Sequence, residues 1–456
     1  MDSGATTIAD DSGSERTGVA CFGSGRVAYP LVELITRDTL TPLTLVSDDA
    51  AQLALFADRI GRLNRANLTT HTMTVTDSKA SLAAVTSFLQ QASFACVVAL
   101  VPEDAQYTIA RACVATKTPL VTASYVSPRI RQLDQAAKDA GIPLLCECGL
   151  DPGIDHMGAM SMIDSIKATT VGTIRRFSSV CGGLPAPEAA DNPIGYKFTW
   201  SPLGALRALQ RPAQYKDNGR LISIPGPEML SHAVAVRTIP ALALEQLPNG
   251  NALPYAALYG IPDVPSIFRG TFRYQGFSAI MRDCVTLGLL DDKPQKELFH
   301  GVTTWAALAT PQTSPETVAF LTWLGDMPAR ERATSSSPLL AFAAILEATL
   351  VLQPDERDLV VLTHRVDVDL PDGSTDVHSA TLLGYGDKDA TFMARSVGLA
   401  AGIAVQLVAA GSVVRSGILA PTTADIYKPA LAALATEGIV FVEKVQRIAT
   451  ATTAKL

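Results

Sequence analysis

Three stretches of this chain combine residue types and spacings that could do chemistry. The first is Gly23-Ser24-Gly25-Arg26-Val27-Ala28, which follows the apolar run Gly18-Val19-Ala20-Cys21-Phe22. Gly23 permits a tight turn, and Gly25 lacks a Cβ and lets the backbone approach a pyrophosphate. Ala28 takes the place of a third glycine and still lets helix and strand pack closely. The second is Gly149-Leu150-Asp151-Pro152-Gly153-Ile154-Asp155, which sets Asp151 at the end of another apolar run. Asp151 also suits a helix N-cap, with Pro152 at the first helical position. The third runs from Arg269 to Phe277 and alternates like a strand, with Thr271 and Arg273 on one face. An arginine on a strand facing a cleft is well placed for bidentate carboxylate binding, although an exposed arginine is the commoner case.

The elements around these stretches follow a repeating strand–helix order. The glycine turn feeds a helix ending near Asp38, with Val27, Leu31, Leu34 and Ile35 at helical spacing and Pro30 in the first turn. Its N-terminus offers N–H groups and a positive dipole end to phosphates. A second strand, Leu43 to Val46, ends in Ser47-Asp48-Asp49. An acid after the second strand binds the ribose hydroxyls of NAD and repels the extra phosphate of NADP, so Asp48 argues for NAD. Capping of the next helix is the competing role for Asp48. That helix spans residues 50–63. A strand over 71–75 and a helix over 81–91 lead to Phe94–Val101, a continuous apolar run of the kind buried on both faces of a parallel sheet. Pro102 and Glu103 end it. A helix over 105–116 and a strand over 119–122 lead to Ala123-Ser124-Tyr125. A helix from Ser127-Pro128 to Gly141 and a strand over 142–146 then lead to the Asp151 stretch, where His156 is the sole histidine.

Composition narrows the class. The 456 residues are 48% hydrophobic and 18% charged, with a net charge of −7, which suits a folded, soluble protein of two or three domains and speaks against nucleic acid as a partner. Seven cysteines, mostly in apolar runs, suggest reduced thiols in a cytoplasmic setting. Cys146 and Cys148 lack a second pair at zinc spacing, so no metal site is expected. Residues 1–17 read as a flexible tail without secretory-signal features. Ser396–Val414 has the apolarity of a membrane span, but Gln406, three glycines and a change of period favour a helix over 391–398 followed by a buried strand over 403–408. The dense Gly/Pro/aromatic run from Cys181 to Pro202 is expected to be a functional loop, with Lys197 and Trp200 as candidates to line a pocket. Residues 280–352 carry mainly helical signals, and Leu359–Leu370 and Thr375–Tyr385 form a hairpin around Pro371-Asp372-Gly373.

At Gly149–His156, Cys181–Glu188 and Asp191–Pro202, together with Gly23-Ser24-Gly25, Ser124-Tyr125-Val126-Ser127-Pro128 and Arg269–Phe277, the chain resembles the saccharopine dehydrogenases, in particular the glutamate-forming saccharopine reductases. The resemblance runs from Gly18 to about Val442. It implies an α/β fold: a Rossmann-type doubly wound parallel sheet, a second α/β domain that binds substrate and dimerises, and a helical insertion. The corresponding boundaries are 18–150 for the Rossmann domain, 151–279 with 353–390 for the second domain, 280–352 for the insertion, and 391–456 for a segment returning to the Rossmann domain. It also implies reversible hydride transfer between NAD(P) and the C–N bond of saccharopine, giving glutamate and 2-aminoadipate semialdehyde in lysine metabolism.

Matched positions suggest Gly23, Ser24, Gly25, Arg26, Val27, Asp48, Ser124, Leu150, Asp151, Pro152 and Trp200 at the cofactor. Ser124, Tyr125, Asp151, Thr271, Phe272 and Arg273 fall at the substrate. Asp151, Lys197 and Tyr125 are the candidate proton carriers, and the sequence does not choose among them. Three positions depart from the family pattern. Asp48 replaces the arginine that pairs the NADP phosphate, with Arg26 able to compensate in part; Gly250 replaces a carboxylate-binding arginine; and Glu103 follows Pro102 where tyrosine is frequent. The family thus suggests NADP while Asp48 favours NAD, and a homodimer and a small amino-acid substrate are expected. Gly250 keeps a second reading open, an imine reductase for a different amino-acid adduct. The departures together keep a third, a cofactor-binding regulatory protein without turnover.

Overall fold

The structure is a computed structural model that describes residues 16–295, 298–327 and 337–449; most of the expected N-terminal tail, residues 1–15, lies outside the described residues. The chain forms two compact units, one of residues 16–168 with 393–440 and one of residues 169–392 with 441–449.

The first unit is built on a seven-stranded sheet. Its strands in chain order are β1 (Gly18–Phe22), β2 (Leu43–Ser47), β3 (Leu68–Thr72), β4 (Phe94–Ala99), β5 (Leu120–Thr122), β6 (Pro143–Leu145) and the strand Gly417–Leu419. The spatial order is Gly417–Leu419, β6, β5, β4, β1, β2, β3, and every pairing is parallel. Alternation along β1 explains why both faces are covered. Val19 and Cys21 pack into one core with Leu31 and Ile35 of α1 (Ala28–Thr36), while Ala20 and Phe22 pack into a second with Val85 of α3 (Lys79–Gln91) and Ile109 of α4 (Glu103–Ala115). This is the doubly wound Rossmann-type arrangement.

Several local expectations need correction. The edge strand β3 starts three residues before the expected position, because its largely exposed side chains show no apolar alternation. The expected helix from Ser127 to Gly141 is two short helices, α5 (Pro128–Arg131) and α6 (Asp134–Asp139). The expected strand over 403–408 is helical: Phe392–Ala409 is one helix of 18 residues. Its glycines are contact points rather than ends. A Cβ on Gly398 would lie 2.6 Å from the Val27 carbonyl oxygen, and one on Gly402 would lie 2.9 Å from Leu34 Cδ2. The helix has the length and mean hydropathy (1.6) of a membrane span, but 67% of it is buried, as in the core helix of a folded domain.

The second unit holds a nine-stranded mixed sheet. In chain order the strands are β7 (Thr173–Pro185), β8 (Ala213–Asp217), β9 (Arg220–Ile224), β10 (Val234–Val236), β11 (Leu244–Pro248), β12 (Ser266–Tyr274), β13 (Asp358–Asp369), β14 (Thr375–Tyr385) and Val442–Ile448. The path is β10–β11–β12–β7–β13–β14–Val442–Ile448, with the β8–β9 hairpin joined to β12; only β7 and β12 run parallel. Residues 441–449 therefore do not return to the Rossmann unit, since Val442–Ile448 pairs along β14 from Thr381 to Thr375. The described residues of 280–352 are not a separate body either. Trp305, Phe320 and Phe342 share one continuous core with Leu244, Phe272 and Val361 of the sheet. At the other boundary, residues 151–168 pack with the first unit, where α7 (Ile154–Thr169) buries Ile154, Met157, Met160 and Ile163.

Candidate functional site

The glycine turn joins β1 to α1 at the carboxyl edge of the parallel sheet. Gly23 has φ +107°, its N–H donates to the Val46 carbonyl oxygen at 2.8 Å, and a Cβ there would lie 2.4 Å from the Leu100 carbonyl oxygen. Only glycine fits between the ends of β2 and β4. At Gly25 the added Cβ would meet nothing within 4 Å, so the loop surface above it is open. No side chain caps the N-terminus of α1, whereas Asp49 caps α2 (Ala50–Gly61) and Ser78 caps α3. The Ala28 N–H bonds back to the Gly25 carbonyl oxygen at 3.1 Å, so what the helix start offers an anion is mainly its positive dipole end above the open face of Gly25. The loop and helix therefore fit a dinucleotide pyrophosphate, with Gly25, Arg26 and Val27 at its mouth. Ser24 differs from expectation: it is buried and its Oγ donates to Ser47 Oγ at 2.8 Å, so the side chain braces β2 and only its backbone can face a phosphate.

The two roles weighed for Asp48 separate onto two residues. Asp49 caps α2 by accepting from the Gln52 N–H at 2.9 Å, and Asp48 stands exposed beside it at the end of β2.

The ends of β5 and β6 bring Ser124, Tyr125, Leu150, Asp151 and Pro152 to the same sheet edge. The Tyr125 hydroxyl donates to Asp151 Oδ1 at 2.6 Å. Asp151 is not an N-cap, and Pro152 is not the first residue of a helix. The Asp151–Pro152 peptide is cis, Gly153 has φ +147°, the Gly149 N–H donates to the Pro152 carbonyl oxygen at 2.8 Å, and α7 begins at Ile154. The turn closes on itself so tightly that a Cβ on Gly153 would lie 2.1 Å from the Gly149 carbonyl oxygen. Leu150 and Pro152 are buried, Ser124 is exposed, and Asp151 is half-buried. His156 is fully buried, with Nε2 2.8 Å from Glu147 Oε2. Sequence reasoning missed Glu147, and it quoted Asp155 within the second stretch without giving it a role. An acid between two buried cysteines, in Cys146-Glu147-Cys148, is the signal that could have found Glu147.

The remaining candidates lie in the second unit. Lys197 is buried and held by two carboxylates, Asp191 at 3.0 Å and Glu356. Burial alone would lower its pKa, but those two carboxylates outweigh it and raise it above the ordinary lysine value. A lysine so paired is poorly suited to exchange protons near neutrality. Trp200 is 36% exposed, just before the helix Pro202–Ala208. Phe272, expected at the substrate, is fully buried in the second unit's core. Arg273 is 6% exposed; its Nη1 donates to Thr271 Oγ1 at 2.8 Å and to the Phe272 carbonyl oxygen at 2.7 Å. Its guanidinium lies 5.0 Å from the Tyr196 ring centre and 5.4 Å from that of Phe277, and its Nε has no hydrogen-bond partner among the described residues. Gly250 has φ +60°, a conformation that favours glycine, and a Cβ on it would meet nothing within 4 Å.

All seven cysteines are buried and unbridged. Burial pushes the Cys21 and Cys146 thiols up to about 12, so neither is a nucleophile near neutrality.

Residues 19–145 match the family model described as the saccharopine dehydrogenase NADP binding domain, and residues 149–439 match the saccharopine dehydrogenase C-terminal domain. Among curated relatives, the NADP(+), L-glutamate-forming saccharopine dehydrogenase of Pyricularia oryzae is 36% identical over 378 residues, covering 76% of this chain and 84% of that protein. Its counterpart from Saccharomyces cerevisiae is 32% identical over 454 residues, covering 93% and 98%. The mitochondrial alpha-aminoadipic semialdehyde synthase of Mus musculus is 32% identical over 453 residues, covering 94% of this chain but only 48% of that protein. The chain thus spans about half the length of the mouse relative. The solved apo structure of the L-Glu-forming saccharopine dehydrogenase from Saccharomyces cerevisiae superposes with a TM-score of 0.83 at 29% identity, covering 94% of this chain and all of that one. With both domain models matched in sequence order and one fold shared over 94% of its length, this chain belongs to the saccharopine dehydrogenase family.

Proposed function

We propose that the protein is a glutamate-forming saccharopine dehydrogenase. The observation that carries the reading is the uncapped start of α1 above the Gly23–Gly25 turn, in the same unit and at the same sheet edge as the Tyr125–Asp151 pair. Bound NADP would supply the hydride acceptor. Gly25, Arg26 and Val27 would hold its pyrophosphate, and the named relatives support NADP over NAD. In the degradative direction the substrate C–N bond is oxidised to an imine. Water then adds, and the products are glutamate and 2-aminoadipate semialdehyde. Of the three candidate proton carriers, Lys197 is engaged by Asp191 and Glu356, which leaves Tyr125 and Asp151. Their short hydrogen bond can hold one proton at the sheet edge and pass it to or from the reacting nitrogen or water. Within the second unit, Arg273 keeps guanidinium donors not used by Thr271 and Phe272, which supports a carboxylate-binding role for it.

The second unit is proposed as the substrate-binding and dimerising domain, and the seven buried free thiols support a reducing, cytoplasmic compartment. Gly250 supports one alternative, an imine dehydrogenase acting on a smaller or less charged amino-acid adduct. The test is a steady-state assay with saccharopine and each nucleotide. Appearance of reduced NADP with release of glutamate supports the proposal. Nucleotide binding without turnover of saccharopine or any related imine rejects it.

A further inference from the structure

We propose that the buried pair Glu147–His156 is a positioning device for the Tyr125–Asp151 hydrogen bond. The inference rests on the reading of that bond as the proton-handling centre. Tyr125 and Asp151 arrive on separate arms of the chain, one after β5 and one after β6. A single carboxylate behind them ties both arms. Glu147 Oε1 accepts the N–H of Val126 at 3.0 Å, one residue after Tyr125. Glu147 Oε2 lies 2.8 Å from His156 Nε2, in the first turn of α7, five residues after Asp151. The backbone adds a further link, since the Glu147 N–H donates to the Ser124 carbonyl oxygen at 3.2 Å. Asp155 secures the turn itself: its Oδ1 accepts the Gly153 N–H at 2.6 Å, and its Oδ2 stands 3.9 Å from His156 Nδ1. Glu147, Asp155 and His156 are all buried, Asp155 and His156 completely.

The conformation of Glu147 argues that the side chain matters more than the backbone. Its φ is +62°, in the left-handed region where glycine is the unstrained choice. A glutamate held there carries backbone strain and a desolvated acid, both retained where the surroundings over-determine them. What it provides in return is a rigid bridge between the two arms. A tyrosine hydroxyl 2.6 Å from a carboxylate demands that the two arms keep register to a few tenths of an ångström, and small misplacements of reacting groups are costly to rate. Glu147 and His156 touch neither nucleotide nor reacting atoms in this scheme; they act through Tyr125 and Asp151.

The experiment uses the full chain with NADP and saccharopine, and the variants Glu147→Gly, Glu147→Gln and His156→Gln. Glu147→Gly relieves the backbone and removes the bridge; Glu147→Gln keeps an acceptor for Val126 and a hydrogen bond to His156. Expected for Glu147→Gly and His156→Gln is a fall in kcat of about 10–100-fold with KM for NADP within about twofold. Expected for Glu147→Gln is recovery to within about threefold of the parent kcat. A Glu147→Gly protein that folds and keeps its kcat overturns the proposal, as does one in which kcat and nucleotide affinity fall together and Glu147→Gln gives no rescue. Crystal structures of the parent and Glu147→Gly proteins decide the matter independently of substrate. The Tyr125–Asp151 hydrogen bond should open beyond hydrogen-bond range in the variant, and its persistence at the parent length would overturn the proposal. If the parent protein does not turn over saccharopine at all, the proposed function fails, and the crystallographic comparison still judges the positioning role.

Discussion

Replacing Lys197 by methionine distinguishes a structural lysine from a chemical one. The Lys197 side chain is 8% exposed, with Glu356 at 18% and Asp191 at 65%. Removing one member of a buried pair costs about 3–5 kcal/mol, because the partner is left charged and desolvated. An exposed pair is worth about 0–1 kcal/mol. Asp191 belongs to the exposed class and Glu356 falls between the two, so the loss should be about 2–3 kcal/mol. The methionine retains the apolar stem contacts and leaves no large cavity. For a unit of this size the loss should lower Tm by about 5–10 °C, read by scanning calorimetry on the second unit's transition.

The pH dependence follows from the two shifts. The raised pKa of Lys197 means that its contribution is fully present below the ordinary lysine value and is lost as pH rises through the folded value. Its bond to Lys197 holds the Asp191 carboxyl below the usual range, so that contribution is present above the ordinary aspartate value and is lost as pH falls through the folded value. The gap in Tm between parent and variant should therefore be flat from about pH 5 to 9 and close at both extremes. Turnover per folded molecule should stay within about threefold of the parent, since a lost general acid–base costs about 10²–10⁴-fold. An unchanged Tm with kcat reduced a hundredfold would refute the reasoning and make Lys197 the proton carrier.

Three further outcomes are expected. Asp48→Arg should raise the ratio of kcat/KM with NADP to that with NAD by about 10–100-fold, as expected where a repelling charge becomes an attracting one at the proposed ribose position; an unchanged ratio places the phosphate elsewhere and points to Arg26. Gly153→Ala should fail to fold or lose Tm steeply, because its Cβ would lie 2.1 Å from a backbone oxygen at φ +147°; a variant that folds normally would show that the turn can open. Gly250→Arg places a cation in open space at a strained backbone position and should lower KM for saccharopine about tenfold if the missing charge limits binding; an unchanged KM alongside faster turnover of a less charged adduct would favour the alternative substrate.

What could be read from the chain without coordinates was whatever obeys local rules. The strand–glycine–helix order at Gly18–Thr36 and the fully apolar run of β4 are dictated by periodicity and by the absence of side chains at Gly23 and Gly25. Local rules failed where a residue's role is set by a neighbour far along the chain. Gly398 and Gly402 read as breaks in a helix, yet they are where it closes on α1. Asp151-Pro152 reads as a helix start, yet the fold bends it into a closed turn and hands Asp151 to Tyr125. Alternation puts Arg273 on a strand, as in β12, but its burial over Tyr196 and Phe277 is invisible to alternation alone.

By itself the sequence determined the strand–glycine–helix start of the first unit and the family pattern, because backbone conformation and apolar periodicity are written in adjacent residues. Only the tertiary structure decided that Lys197 is paired between Asp191 and Glu356, that Asp49 rather than Asp48 caps α2, and that Glu147 spans the arms bearing Tyr125 and Asp151. Charge pairing and burial depend on distance in space, and residues such as Lys197 and Glu356, far apart along the chain, meet only when the strands between them have paired.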